Sequence, residues 1–327
     1  MTRDELLAIL WENADTYISG AQLARRLSVS RTAVWKQIEQ LRGEGYLIES
    51  VTNKGYRLSS RSDVLSAAGI ERYLEHPNIR VQVRRSVSST ITVLKEQAEA
   101  GAPEGTALVA EEQTKGRGRM GRSFYSPPGT GVYLSLLLRP DTAAAEAVAL
   151  TACAAVAVAE SVESLSGRPA QIKWVNDVLL DGKKICGILT EASVDFESGM
   201  LHYAVVGIGI NVLNPTGGFP PELQDRAGAV FGTNGGPALR CRMAAAVLDR
   251  LMGYYERLGE KTYYEGYKQR SVVLGRPILL LTPGHDPVPA QALDIDRDFA
   301  LVVRLADGTI RHVNSGEVSI RPGGPDF

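Results

Sequence analysis

Cysteine and histidine are scarce in this 327-residue chain, three of one and four of the other, and neither type clusters. Cys153, Cys186 and Cys241 stand far apart and odd in number, with neither metal-ligand spacing nor a disulfide framework, which fits a reducing cytoplasm. The scattered histidines offer no Ser-His-Asp or Cys-His arrangement, so catalysis by a nucleophilic side chain or a bound transition metal is not expected. Net charge is also lacking, at −1, so any polyanion-binding role must be local. No long hydrophobic run occurs. The longest near-apolar stretch, residues 147–159, is Ala-rich and too short to cross a bilayer, and it reads as a buried helix. The start, Met1-Thr2-Arg3-Asp4-Glu5, has no apolar core of the signal-peptide kind, so no membrane role is expected. Internal repeats and low-complexity tracts are absent too. What remains is an ordinary folded chain, 44% apolar, long enough for two or three domains.

One further absence points to the chemistry. Acidic residues disappear between positions 113 and 140, and within that gap lies Lys115-Gly116-Arg117-Gly118-Arg119-Met120-Gly121-Arg122. Glycine allows close backbone approach and positive φ, while arginine presents a rigid fork of donors to carboxylate and phosphate. Such a loop fits an anionic small molecule that it orders around, or an RNA-contacting tract. Two downstream segments favour the small molecule. Lys173-Trp174-Val175-Asn176-Asp177 places a cation, an amide and a carboxylate at a strand end. Gly207-Ile208-Gly209-Ile210-Asn211 follows an apolar strand and permits a ligand to approach the backbone. With no nucleophile or metal cluster in sight, charge stabilisation and positioning remain, which suits phosphoryl or adenylyl transfer.

The chain divides into three, a multidomain α+β protein. Residues 1–63 read as three helices and a hairpin. Leu6, Leu7, Leu10 and Trp11 form one helical stripe, and Ser19-Gly20 opens a second helix bearing Leu23, Ala24 and Leu27. Ser30 caps a third helix, where Val34, Ile38 and Leu41 share a face. Residues 46–50 and 55–58 flank a turn at Asn53-Lys54. This is a winged helix-turn-helix pattern, and Gly20, Gln22, Ser30, Arg31, Thr32, Trp35, Lys36 and Lys54 are its candidate DNA contacts. The plain alternative is a small helical interaction domain whose basic residues are merely solvated. Residues 64–270 mix strands at 107–110, 132–138, 172–175, 178–180, 184–191 and 203–208 with helices at 92–100, 143–166 and 239–258, a mixed sheet with helices against it. Residues 271–327 carry short strands separated by turns such as Asp307-Gly308, a small barrel of the SH3 kind.

Several motifs, in order and across nearly the whole chain, resemble the biotin protein ligases. Residues 116–122 match their G-R-G-R-x-G-R loop, and residues 173–177 match K-W-P-N-D with Val175 in place of proline. Residues 184–191 resemble K-x-x-G-I-L-x-E, residues 207–211 match G-I-G-x-N, and residues 316–321 resemble G-E-x-S-x-R. The N-terminal segment looks like that of the bifunctional class, which also represses biotin genes. The resemblance implies that biotin and MgATP give biotinyl-5′-adenylate, whose biotin passes to a lysine of biotin carboxyl carrier protein. It implies biotin contacts at Ser89, Thr90, Ile91, Gln113, Arg117, Gly118, Arg119, Lys173 and Gly187, with Ile91 standing where Asn is common. It implies adenylate or ATP contacts at Arg117, Arg119, Arg122, Trp174, Asn176, Asn211 and Arg321, with Lys173, Arg117 and Arg119 as the catalytic cations. No protein metal site is implied; Mg²⁺ accompanies ATP, and Asp177 is the candidate to meet it. Operator DNA and a ligand-promoted homodimer are the further implied partners. Two alternatives remain, a ligand-sensing transcription factor with weak ligase activity and a lipoate- or octanoate-type ligase.

Overall fold

The computed structural model describes residues 3–60, 62–143, 146–195, 197–233, 236, 238–281, 286–314 and 316–320. The N-terminal unit is built from α1 (Arg3–Glu12), α2 (Gly20–Arg26), α3 (Arg31–Gly43) and the hairpin β1 (Ile48–Val51) and β2 (Gly55–Leu58). Its core is the set of apolar residues expected from helical spacing: Leu6, Leu7, Leu10, Trp11, Leu23, Val34, Ile38 and Leu41 are all buried. Ser19 and Ser30 cap α2 and α3 by accepting from the backbone N–H of Gln22 and Ala33, which removes orphan donors at both helix starts.

A short helix, α4 (Ala67–Glu71), leads from the wing into the central unit and packs against α1 and α7 (Leu239–Tyr255). The joint is held by a buried charge. Arg240, 6% exposed, pairs with Asp63 at 2.9 Å and with Glu111 at 2.7 Å. Burial works against its charge, and the two carboxylates more than compensate, so its pKa rises.

The central unit holds β3 (Arg80–Val87), α5 (Thr90–Glu99), β4 (Thr106–Gln113), β5 (Gly131–Leu138), α6 (Ala147–Ser166), β6 (Gln171–Lys173), β7 (Asp177–Leu180), β8 (Lys183–Val194), β9 (Leu201–Asn211), α7 and α8 (Tyr264–Gln269). Seven strands make one sheet in the order β3-β4-β5-β9-β8-β7-β6, parallel between β3 and β4 and antiparallel elsewhere. Alternation along the strands divides the core in two. Leu108, Leu137 and Val205 pack with Ile91 and Leu94 of α5, whereas Val109, Leu136 and Val206 join the larger core that includes α6 and α7. By length and composition α6 resembles a membrane span, yet residues 149–159 are buried inside the protein. The helix expected from residue 143 starts at Ala147, because Ala143 instead bridges Met200. The helix expected from residue 92 begins at Thr90.

The C-terminal unit is an antiparallel five-stranded sheet, made of β10 (Pro277–Leu281), β11 (Val288–Ile295), β12 (Leu301–Leu305), β13 (Ile310–Val313) and β14 (Glu317–Ile320) in the order β13-β12-β11-β10-β14. Aromatic rings dock it on the central unit. Phe299 is fully buried, stacked on Tyr263 at 5.4 Å and met edge-on by Tyr264 and Tyr267.

Candidate functional site

The β8 and β9 strands form the floor of a pocket, the N-terminus of α5 and the end of β4 close one end, and residues 117–124 lie along its wall with residues 173–177. The pocket brings together Ser89, Thr90, Ile91, Gln113, Arg117, Gly118, Arg119, Arg122, Lys173, Trp174, Asn176, Asp177 and Gly187, which are most of the residues singled out in the sequence.

Its inner end is polar and tightly paired. The Thr90 N–H donates to Gln113 Oε1 at 2.9 Å, Gln113 Nε2 donates to Ser126 Oγ at 3.0 Å, and the buried Ser135 hydroxyl donates to Thr90 Oγ1 at 2.8 Å. Ser89 is the exception. Its hydroxyl is buried with no hydrogen-bond partner, and buried polar atoms of that kind are rare unless something else satisfies them. The polar end therefore suits a ligand head that supplies a matching group.

Two side chains meet the glycine-bearing floor. A Cβ at Gly207 would stand 2.4 Å from the Ile91 side chain, and one at Gly209 would stand 2.5 Å from the Phe124 ring. These glycines thus make room for Ile91 and Phe124 while themselves lining the pocket, where the sequence expected a ligand to approach the backbone. Phe124, which sequence reasoning missed, also lies against Gly187 and meets Tyr133 edge-on at 6.5 Å.

The arginine–glycine loop is a small hairpin of its own. Gly118 N–H donates to Arg122 O at 2.7 Å, Phe124 N–H donates to Gly116 O at 2.9 Å, and Met120 takes a left-handed φ of 55° at the tip. Gly116 cannot carry a side chain here, since a Cβ would come within 2.3 Å of Phe124 O.

The pocket wall is strongly cationic: Arg117, Arg119, Arg122, Lys173 and Lys184 face one carboxylate, Asp177. Most of these charges are braced. Arg119 donates to Asn176 Oδ1 at 3.1 Å, Asn176 in turn donates to Ile188 O at 2.9 Å, Lys184 pairs with Asp177 at 2.6 Å, and Arg117 pairs with Glu191 at 2.8 Å. The Lys173 ammonium makes no hydrogen bond or ion pair among the described residues, and the residue stays half-buried in the wall. An unneutralised cation in such a place favours a ligand with negative charge of its own. Lys184 is a site residue that sequence reasoning passed over, although it opens the hairpin motif quoted above.

Some expected members lie elsewhere. Asn211 sits at the end of β9, outside the pocket wall, where its amide donates to Gly228 O at 3.0 Å. Trp174 lines the pocket but spends its indole N–H on Phe299 O at 2.9 Å, and Tyr267 donates to Val175 O at 3.0 Å. Phe299, in the link between β11 and β12, and Tyr267 of α8 therefore help to set the position of residues 173–177. Arg321 lies outside the described residues. Asp177 would have to release Lys184 before it could reach an ion, and no group of three or more His, Cys, Asp or Glu able to hold a metal occurs among the described residues.

A second surface lies on the N-terminal unit. Arg31, Thr32, Trp35 and Lys36 are exposed along α3, with Trp35 51% exposed, and Lys54 is exposed at the wing turn. Arg31, Trp35 and Gly20 line a cleft between helix and wing with Ser50, Asn53 and Tyr56. Gln22 and Ser30 carry capping duties: Gln22 Oε1 accepts from Ser19 N–H at 3.1 Å, and Ser30 caps α3.

Comparison with known proteins gives three matching family models along the chain: an HTH domain over residues 2–57, the biotin/lipoate A/B protein ligase family over residues 83–211, and the biotin protein ligase C-terminal domain over residues 273–321. A protein of Bacillus spizizenii called bifunctional ligase/repressor BirA is 42% identical over 71% of this chain and 72% of its own. The Escherichia coli protein of the same name is 30% identical over 93% of this chain and 92% of its own. Among solved structures, a biotin protein ligase from Aquifex aeolicus in complex with biotin and ATP superposes with a TM-score of 0.61 and 30% identity, covering 75% of this chain and 99% of that one.

Proposed function

The chain belongs to the biotin protein ligases of the bifunctional ligase/repressor kind, and from that premise we propose that it activates biotin with ATP and passes it to a lysine of biotin carboxyl carrier protein. The observation that carries this reading is the unpaired Lys173 ammonium in a wall of braced cations, in the same pocket as a polar end whose Ser89 hydroxyl lacks a partner. In the first step a carboxylate oxygen of biotin attacks the α-phosphorus of ATP and pyrophosphate leaves. Both reactants are anionic, so the pocket must neutralise charge as it builds up on the phosphorus oxygens. Lys173 and the loop arginines supply that neutralisation. Asn176 and Asp177 orient Arg119 and Lys184 for the same task. In the second step a carrier lysine amine attacks the activated carbonyl carbon and AMP departs. The mixed anhydride hydrolyses if wetted, so the loop at residues 116–122 acts as its lid, ordering over the adenylate.

Biotin lies toward Ser89, Thr90, Ile91, Gln113 and Gly187, and the nucleotide lies toward Arg119, Arg122 and Asn176. Asn211 and Arg321 are the nucleotide contacts that the family pattern adds. Mg²⁺ enters with the ATP phosphates, whose charge it offsets. The unit at residues 1–63 is the operator-binding winged helix, residues 64–270 carry the ligase site, and residues 271–327 form an SH3-like cap that fixes the Lys173 segment. The matched family models, which break between residues 57 and 83 and between 211 and 273, support this division. A ligand-promoted homodimer presents two winged helices to a two-fold operator, and tethering them raises affinity beyond that of one copy. Three free, buried cysteines and a nucleotide substrate suit the cytoplasm.

The test is biotinylation of a purified carrier domain with biotin and ATP. The wild-type chain labels the carrier, and Lys173→Ala labels it about 10²-fold more slowly, as expected for loss of one preorganised charge donor. A Lys173→Ala rate within about threefold of wild type would remove that residue from the mechanism, on the same scale.

A further inference from the structure

Glu191 lies on β8 four residues beyond Gly187, outside the pocket wall, and neither step of the reaction uses it. Both of its carboxylate oxygens are engaged, each by a cation from a different element. Oε1 is 2.8 Å from Nη2 of Arg117 in the loop, and Oε2 is 2.8 Å from Nζ of Lys95 on α5. The α5 helix carries Thr90 in its first turn and Ser89 as its cap, so a single carboxylate joins lid, ligand-bearing helix and sheet. The pairing is asymmetric in exposure. Glu191 is 18% exposed and fixed in a strand, while Arg117 is 49% exposed on a glycine-rich loop that loses much freedom when it orders. Lys95, its pKa raised by the hydrogen bond to Glu191, is the second cation held on the same carboxylate.

We propose that Glu191 is a positioning residue that latches Arg117 and so holds the loop across the pocket, slowing escape of the activated intermediate. The inference rests on the ligase reading above. It assigns Glu191 no contact with the reacting atoms: the latch acts through Arg117 and bears on retention of the adenylate more than on its formation. A purely structural role, bracing Lys95 and α5, is the simpler alternative, and the test must separate the two.

The full-length protein is given biotin and radiolabelled ATP with pyrophosphatase to form biotinyl-5′-AMP in place, then chased with excess unlabelled ligand. Glu191→Gln keeps the side-chain shape and should speed dissociation of the intermediate about tenfold, the scale of one charge-assisted hydrogen bond. Biotin-dependent pyrophosphate exchange at saturating biotin should change by less than about threefold, because the reacting atoms keep their partners. Glu191→Asp should restore part of the retention. The double-mutant cycle decides mechanism. In an Arg117→Gln background, which itself releases the intermediate faster, adding Glu191→Gln should change the rate by less than about twofold, since the partner is already gone. A dissociation rate for Glu191→Gln within about twofold of wild type overturns the latch, as does an undiminished effect in the Arg117→Gln background, which would assign Glu191 to Lys95 alone. Failure of the ligase reading has a different signature, absence of biotin-dependent exchange in the wild-type protein, and it would take the latch with it.

Discussion

On the winged helix, Arg31 and Lys36 stand exposed on one local unit and form no ion pair among the described residues, and Lys54 lies over the Tyr17 ring at 5.9 Å. In the pocket, Arg117, Arg119 and Lys184 each meet a partner, and the first two reach 74 and 57 positions along the chain to Glu191 and Asn176. The same residue types are thus deployed in two ways. A duplex brings its own regular array of phosphates, so the surface that meets it needs shape and loose cations, and affinity comes from many small, salt-sensitive contacts. A transition state lasts too briefly to organise its surroundings, so the groups that stabilise it must already be held in place. Removing one surface cation should therefore weaken a sum, whereas removing one pocket cation should disable a step.

The largest effect expected from separating the regions is on DNA binding. Deletion of residues 1–62 should abolish it and leave carrier biotinylation largely intact, because the pocket residues all lie beyond Ser88. Circular dichroism establishes that the truncated chain folds. A folded truncation that cannot biotinylate would show that the winged helix supports the pocket and that the two regions are not separable.

The joint between them should give the next effect. Arg240→Met leaves Asp63 and Glu111 facing each other without their shared cation. Stability to chemical denaturation should fall by about 2–3 kcal/mol, reduced from the cost of a fully buried pair because both carboxylates keep some solvent. An unchanged midpoint would show that packing of α4 between α1 and α7, not this triad, holds the regions together.

The smallest effect belongs to the surface. Lys36→Ala should weaken binding a few-fold on every DNA sequence and reduce the salt-dependence slope by about one unit, if the lysine meets a phosphate. Loss of binding on one sequence alone would make Lys36 a base-reading residue, and the surface would then resemble the pocket in relying on individually placed cations.

The same contrast explains what the sequence revealed. The winged helix was legible nearly to the residue, because caps such as Ser30 and stripes such as Val34, Ile38 and Leu41 act within one or two turns. In the pocket, motifs named most of the members but not their pairings. Glu191 on Arg117, or Ile91 against Gly207, are contacts between distant segments that periodicity does not encode. Strand β3 was missed altogether: it lies at the sheet edge, and Arg84 and Arg85 interrupt its alternation with exposed charge. Trp174 and Tyr267 reach the C-terminal unit and the Lys173 segment through single hydrogen bonds that only the folded chain can show. The short helices α4 and α8 span too few residues to establish a period.

The central claim is that the pocket activates biotin, and ATP–pyrophosphate exchange tests it most directly, with biotin, lipoate and octanoate titrated separately against the full-length protein. Biotin should drive exchange and saturate at the lowest concentration of the three, with lipoate and octanoate near background. Exchange driven by lipoate or octanoate, with biotin at background, would contradict it.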